Sequence, residues 1–258
     1  MSLKKKFSLS GLTDKLASMT TSSKSSFAEP ISPSEEETED VKREAKTKAK
    51  YPVHMDLSRF QDDLSLEEAH LEFVGAGLRS ERVVGIEFWI YTIGLYVDMP
   101  KAKRALQGCK GFGTIEAGEA HESDAFCEAL IRLDGASRVL RFVITLAGLT
   151  ASLVVGQFDK VLLPKMKARG EEAQYRFIME NIGKAKLKKG TEMLLVLSAD
   201  GTVGCVCDGE LLGTVKCKAL CEAIMEIYFP CDGDKPISAD VKEKVCNGLL
   251  DAITRRDA

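Results

Sequence analysis

Two polar side chains in a largely apolar stretch are the residues best suited to bind a ligand or to take part in catalysis. The stretch GAGLRSERVVGIEFWIYTIGLYVD covers residues 75–98 and carries Arg79 near its start and Tyr91 in its middle. If the numbers of the residues that face each other across the hairpin add up to an even total, two residues twelve apart project from the same face. That face also carries Phe73 and two glycines. A guanidinium beside small residues leaves room for an anionic ligand, with the phenol as a second donor. The alternative is structural: the arginine extends to water and the tyrosine hydroxyl bonds to the backbone.

Other patterns that support catalysis or phosphate binding are weak. None of the three histidines lies beside a serine or cysteine in a recognisable nucleophile context, so hydrolase chemistry is not expected. The spacing Gly113-x-x-x-x-Gly118 lacks the Lys-Ser/Thr of a phosphate loop. The pair Gly75-x-Gly77 lies inside a strand pattern instead of opening a helix, so neither glycine pair predicts a phosphate loop.

The eight cysteines are better explained as buried thiols than as ligands. Several lie inside apolar segments, which favours a reducing compartment. Cys205-Val206-Cys207 and Cys217-x-x-x-Cys221 could be combined into a set of four ligands, but neither spacing matches a zinc site. We therefore expect no metal and no cofactor.

The Arg–Tyr pair requires two long neighbouring strands, and the sequence predicts them. Residues 66–78 and 83–97 are rich in β-branched and aromatic residues, and Ser80–Arg82 is the predicted reversal between them. In the second strand, alternate positions from Val84 to Tyr96 form a nearly continuous apolar face, which predicts core. The positions from Glu87 to Leu95 are polar at one end and apolar at the other, which predicts a partial cleft.

The order of elements predicts an α+β fold. Hairpin-length turns between neighbouring strands favour an antiparallel β-sheet with a layer of helices packed on one face over a doubly wound parallel sheet. The predicted helices are 101–106, 123–133, 150–167, 171–187, 218–228 and 238–253, and the further predicted strands are 137–146, 193–197, 203–207 and 211–215.

Composition divides the chain into a polar N-terminal region and one domain. Residues 1–50 are rich in Ser, Lys and Glu and predict a disordered tail or an organelle transit segment. Residues 51–254 predict the folded domain, and residues 255–258 a short C-terminal tail. The net charge of −3 favours no nucleic-acid partner. No run approaches the roughly 18 apolar residues of a membrane span, so a soluble protein is expected.

The strand pair and the elements after it resemble the chalcone isomerase fold. The stretch 75–98 is similar to the two long N-terminal strands of that family, with a glycine-spaced arginine and an aromatic-x-Ile-Gly-Leu-Tyr-Val ending. The order continues through RFVITLAGLTASLVVGQFDKVLLP, the strand 193–199 and ALCEAIMEIYFPCDGDKPISADVKEKVCNGLL, so the resemblance covers residues 66–251. It implies a chalcone isomerase-like open-faced β-sandwich.

The resemblance also separates the catalytic branch of that family from its fatty-acid-binding branch. Arg79 matches the family arginine, but the position twelve later is a threonine in the enzymes and is Tyr91 here. The region 157–165 offers neither the tyrosine nor the asparagine of the enzymes, and their small hydroxyl residue falls near Ile227. Closing a chalcone ring needs hydroxyl donors for the developing enolate, which these substitutions remove.

The resemblance therefore implies non-catalytic binding of a long-chain fatty acid. Arg79 is expected to pair with the carboxylate and Tyr91 to donate to it, while apolar residues between sheet and helices hold the acyl chain. Core packing is the alternative role for each apolar candidate. The candidates beyond the pair are Trp89, Phe73, Phe158, Met225 and Tyr228, with Ile93, Leu149, Leu153, Leu162 and Met166 as further candidates for the acyl sleeve.

Two other functions stay open. One is a chalcone–flavanone isomerase with an altered donor set, and the other is a non-catalytic helper that binds a partner enzyme. The thiols favour an intracellular location. The resemblance favours the plastid, with the chloroplast stroma as the site, and cytoplasm and mitochondrion are the alternatives.

Overall fold

Nine strands and six α-helices make up the part of the chain that this computed structural model describes, residues 40–68 and 70–255. The strands are β1 (Val41–Arg43), β2 (Lys50–Pro52), β3 (His54–Asp56), β4 (His70–Val83), β5 (Ile86–Val97), β6 (Arg138–Ile144), β7 (Glu192–Leu197), β8 (Thr202–Cys207) and β9 (Glu210–Lys216). The helices are α1 (Met99–Gln107), α2 (Asp124–Arg132), α3 (Ala151–Ala168), α4 (Glu172–Gly183), α5 (Lys218–Tyr228) and α6 (Ala239–Arg255).

One antiparallel sheet of seven strands carries the fold. Its spatial order, β3 to β9, follows the chain, so each strand pairs with its neighbours in sequence. The strands β1 and β2 pair with each other in a separate small sheet. The predicted antiparallel α+β fold is confirmed.

The main core lies between the sheet and a layer of helices on one of its faces. Ile93 and Leu95 of β5 and Phe142 of β6 join side chains from the helices in one apolar cluster, and all three are buried. Burial of each such side chain contributes about 1.5–3 kcal/mol. The helix layer therefore covers the face of the sheet that carries Ile93, Leu95 and Phe142.

The segment before β4 covers part of the opposite face. Tyr51, Leu57 and Leu64 form a second, smaller cluster with Tyr96 of β5 and other residues of the sheet. The Tyr51 hydroxyl also donates to Thr92 Oγ1 of β5 at 2.6 Å. This face was predicted to be core, and its cover comes from the N-terminal segment.

Regular structure begins before residue 51, the predicted start of the domain. β1 and the first residue of β2 lie in the stretch assigned to the tail. Glu44 ties this stretch down, because its buried carboxylate accepts from the Thr47 N–H at 2.7 Å and lies 3.4 Å from Lys244 Nζ of α6. Residues 1–39 and 256–258, with most of both predicted tails, lie outside the described residues.

All six predicted helices and the four later strands are present. The reversal predicted at Ser80–Arg82 is wrong, because β4 continues to Val83 and the chain turns at Val84–Gly85. The predicted helix 171–187 ends earlier, at Gly183, and the short strand β3 was not predicted. In the described residues no helix is long and apolar enough to cross a membrane, and no three His, Cys, Asp or Glu side chains are grouped to hold a metal ion.

Two glycines of β4 let α6 approach the sheet. A Cβ atom at Gly75 would lie 2.6 Å from the Lys244 carbonyl oxygen, and one at Gly77 would lie 2.6 Å from Val241 Cα. These contacts are with helix backbone, which cannot turn away as a side chain can. The space beside the glycines, predicted to leave room for a ligand, is therefore occupied by α6.

Replacing Gly77 with Ala should destabilise the fold by about 1–3 kcal/mol, because the new methyl group overlaps the backbone of α6. The matched control is Gly156→Ala in α3, where a Cβ meets no atom within 4 Å. That change should raise stability by about 0.5–1 kcal/mol through helix propensity. Urea unfolding of both variants measures the difference, and equal effects would contradict this packing.

Candidate functional site

Arg79 and Tyr91 are direct partners across the β4–β5 pair. The same register places Gly77 opposite Ile93, and both Tyr91 and Ile93 contribute to the cluster on the helix side of the sheet. Arg79 and Tyr91 therefore share one position along the sheet, at the edge of the main core.

Tyr228, at the end of α5, brings a second hydroxyl to this position. Its hydroxyl oxygen lies 3.4 Å from that of Tyr91, longer than the about 2.5–3.0 Å of a usual O–H···O bond. The Phe142 ring packs edge-on against both rings, with centroid distances of 5.5 Å to Tyr91 and 6.1 Å to Tyr228. This aromatic packing holds the two hydroxyls side by side and leaves them hydrogen-bonding capacity for a ligand.

The Arg79 guanidinium already has a carboxylate partner. Its Nη2 donates to Glu81 Oε2 at 3.0 Å, and its Nη1 donates to the Ser80 carbonyl oxygen at 3.2 Å. The side chains of Arg79 and Glu81 are 17% and 23% exposed, so the ion pair lies between the core and water. Because a guanidinium has five N–H donors, Arg79 can also donate to a second anion or exchange one for another.

Both tyrosine hydroxyls near Arg79 keep their protons at neutral pH. Burial raises the pKa of Tyr91, and the positive charge of Arg79 opposes that rise only in part. Burial, followed by the effect of Tyr91, raises the pKa of Tyr228 well above its ordinary value. The site therefore presents one cation and two neutral donors, an arrangement that suits a carboxylate.

Phe73, a predicted ligand contact, faces away from this site. A β-bulge at Val74 interrupts the pairing between Phe73 and Gly75. Phe73 consequently packs in the smaller cluster on the opposite face, where its ring stacks on Tyr51 at 5.5 Å. A bulge adds one residue to a strand and so shifts the alternation of faces, which the period-two argument did not allow for.

Trp89, another predicted contact, is also separated from the pair by a bulge. The register moves from Arg79 opposite Tyr91 to Ser80 opposite Trp89, so Ile90 is the extra residue of β5. Trp89 is 40% exposed and belongs to neither apolar cluster. Its side chain is consequently available to solvent and not to the core.

Phe158 and Met225 lie in the main core with Tyr228. All three are buried members of one cluster, and Ile93, Leu149, Leu162 and Met166 belong to it too, with Leu153 packed against it. Two clefts of about 300 and 320 Å³ lie elsewhere, one beside Arg141 and one beside Tyr175, and neither is lined by Arg79 or Tyr91. The apolar candidates behind Arg79 and Tyr91 are therefore part of the packed core.

Sequence reasoning missed two contributors to the site. Glu81 was assigned to a turn, although an acid two residues after Arg79 on one strand was a signal for an ion pair on the same face. Phe142 was assigned to a strand without a role, and only the register of β6 with β5, which places it opposite Ile93, shows that it supports both tyrosines.

Alkaline titration should show no phenolate while the protein is folded. Burial is the main cause of a raised pKa at all five tyrosines of the chain. Since the folded pKa values exceed the unfolded value of about 10, stability is fully present below pH ~10 and is lost as the pH rises above it. Phenolate absorbance should therefore appear together with loss of circular dichroism, in one step.

The Tyr228→Phe variant is the control for this titration. It should lower the phenolate absorbance of the unfolding step by the contribution of one tyrosine and should leave the absorbance below that step unchanged. A phenolate signal with a midpoint near pH ~10 in folded protein, absent from this variant, would show that the hydroxyl pair is hydrated and not buried.

Two proteins of Arabidopsis thaliana are similar in sequence to this chain. It is 24% identical over 190 residues to "Fatty-acid-binding protein 2", a match that covers 70% of this chain and 46% of the relative. It is 23% identical over 175 residues to "Fatty-acid-binding protein 1", with 66% and 61% covered. The chain thus spans about half the length of the first relative and about three fifths of the second. No family model matches the chain.

A solved structure shows the same fold. The crystal structure of the Arabidopsis thaliana fatty-acid-binding protein AtFAP1 superposes with a TM-score of 0.65 at 17% identity, covering 83% of this chain and 99% of that one. The resemblance found in the sequence is therefore confirmed: the chain has the chalcone isomerase-like fold, and the two sequence relatives are named fatty-acid-binding proteins.

Proposed function

We propose that this domain binds a long-chain fatty acid, with the carboxylate at Arg79 and Tyr91 and the acyl chain between the sheet and the helices. The observation that carries the proposal is a guanidinium beside two protonated hydroxyls at the edge of an apolar core. The names of the two Arabidopsis relatives support the class of ligand.

Carboxylate binding is an exchange at Arg79. The ligand replaces the Glu81 carboxylate, which then turns to water from its position at the boundary of the core. The guanidinium is never left without an anion, so the exchange avoids the penalty of an unpaired buried charge. Tyr91, and Tyr228 behind it, donate to the oxygen that the guanidinium does not reach.

The acyl chain supplies most of the affinity. Each methylene moved from water to apolar surroundings contributes about 0.8 kcal/mol. Met225, a buried member of the same core cluster as Tyr228, is unbranched and adapts to new neighbours more easily than a β-branched residue. The head group therefore fixes orientation and rejects uncharged chains, while the tail sets binding strength.

Arg79→Gln should weaken fatty-acid binding by at least about 100-fold, since it removes charged hydrogen bonds of roughly 1.5–3 kcal/mol each. Tyr91→Phe should weaken it by about 10- to 100-fold for the loss of one such bond. Glu81→Gln should strengthen binding several-fold because it removes the competing carboxylate. Native mass spectrometry and calorimetry with a long-chain fatty acid measure all three.

Arg82→Gln is the matched control, because Arg82 lies on the same strand but is exposed. It should bind like the unchanged protein. Equal affinities for the Arg79 and Arg82 variants would contradict the head-group assignment, and an unchanged melting temperature shows that neither variant is unfolded.

A further inference from the structure

Most of the large exposed apolar side chains of the described residues lie on one hairpin. Val84, Ile86 and Trp89 are 86%, 50% and 40% exposed, and all three belong to the tip of the β4–β5 pair. The fourth such residue, Phe177, lies apart on α4. Exposed apolar residues grouped on a protruding element indicate an interaction surface.

The turn at this tip carries an unfavourable residue. Val84 has φ +50° and the following Gly85 has φ +81°, the pair of positive values typical of a type I′ turn. Asparagine or glycine suits the first of these positions, whereas a β-branched side chain is disfavoured there. The chain thus keeps an apolar residue at its most exposed point against the preference of the backbone, which indicates a role outside folding.

A lysine-rich loop lies at the same end of the sheet. Lys184, Lys186, Lys188 and Lys189 are exposed in the connection between α4 and β7. The Gly190 N–H in this loop donates to the Ile144 carbonyl at 2.8 Å, and the next residue, Thr145, donates through Oγ1 to the Trp89 carbonyl at 2.9 Å. Since neighbouring strands are about 4.8 Å apart, this loop lies roughly 10 Å from Trp89.

The charge at this end of the sheet is predominantly positive. Lys186, Lys188 and Lys189 form no ion pair within residues 40–68 and 70–255. Three of the acids nearby are in ion pairs: Glu81 pairs with Arg79, Glu87 with Lys46 at 4.0 Å, and Glu192 with Arg141. Asp208 and Glu210, at the turn between β8 and β9, also lie at this end and are outnumbered by the four lysines of the loop.

We propose that the hairpin tip and the lysine loop form a docking surface for an anionic lipid bilayer. Val84, Ile86 and Trp89 enter the interface between headgroups and acyl chains, where tryptophan is favoured. Lys186, Lys188 and Lys189 attract anionic headgroups. Exposed apolar side chains beside exposed lysines complement a surface with an anionic headgroup layer above an apolar interior.

Docking at this end places the carboxylate site beside the bilayer. Arg79 and Tyr91 are separated from Trp89 by a single bulge on the same hairpin. Docking itself does not depend on the proposed fatty-acid site, because none of the residues that make contact with the bilayer is part of that site.

Trp89 is the single tryptophan of the chain and therefore reports on the surface directly. The full chain is mixed with phosphatidylcholine vesicles that contain or lack phosphatidylglycerol, and Trp89 emission and co-sedimentation are recorded. We expect a blue shift and sedimentation with the anionic vesicles, weaker binding at high salt, and little binding to neutral vesicles.

Two pairs of variants separate this surface from nonspecific attraction. Val84→Asn/Ile86→Thr should keep the fold, because Asn suits the turn, and should lower vesicle binding at least about tenfold. Lys188→Glu/Lys189→Glu should do the same. The control Lys216→Glu/Lys218→Glu makes an equal change of charge at the opposite end of the sheet and should bind vesicles normally.

Absence of sedimentation and of a Trp89 shift with anionic vesicles would overturn the proposal. An equal loss of vesicle binding in the control variant would also overturn it. So would a change of oligomeric state in Val84→Asn/Ile86→Thr, because that change would identify another copy of the chain as the occupant of the tip.

Discussion

The register between β4 and β5 is the constraint on which the candidate site depends. Two bulges, at Val74 and Ile90, flank the segment in which Arg79 faces Tyr91. Between them the alternating side chains point to the helix layer, and beyond them Phe73 and Trp89 leave it. The glycines of β4 are part of the same constraint, because α6 packs directly on their backbone and holds the strand in place.

Local signals in the sequence were sufficient to predict the six helices and the longer strands, but not the short strands β1 to β3. Thr150 and Ser123 cap their helices, because the hydroxyl of each accepts from the backbone N–H three residues later, at 3.4 and 3.3 Å. Gly170 follows the end of a helix and has φ +75°. The bulges could not be predicted, because an extra residue in a strand is defined only by the partner strand. Arg79 and Tyr91 could be predicted as a pair because they are close in sequence on one hairpin. Phe142 was missed because its contact with Tyr91 depends on the pairing of β6, a distant part of the chain, with β5.

Under the proposed function, the ion pair of Arg79 with Glu81 is one of two states of the site. In the structure the guanidinium is neutralised within the chain and the apolar residues behind it are packed. In the ligand-bound state that we propose, a carboxylate takes the place of Glu81, and the acyl chain takes the place of side-chain contacts in the core. Because the same hairpin carries Val84 and Trp89 at its exposed tip, the proposed bilayer contact and the proposed carboxylate site involve one element of the fold.

A crystal structure of the chain with a long-chain fatty acid tests the central claim most directly. The account predicts carboxylate oxygens about 2.7–2.9 Å from the guanidinium nitrogens of Arg79, a contact with the Tyr91 hydroxyl, and Glu81 turned to solvent. A carboxylate bound instead in the cleft beside Arg141, with the pair of Arg79 and Glu81 intact, would contradict it.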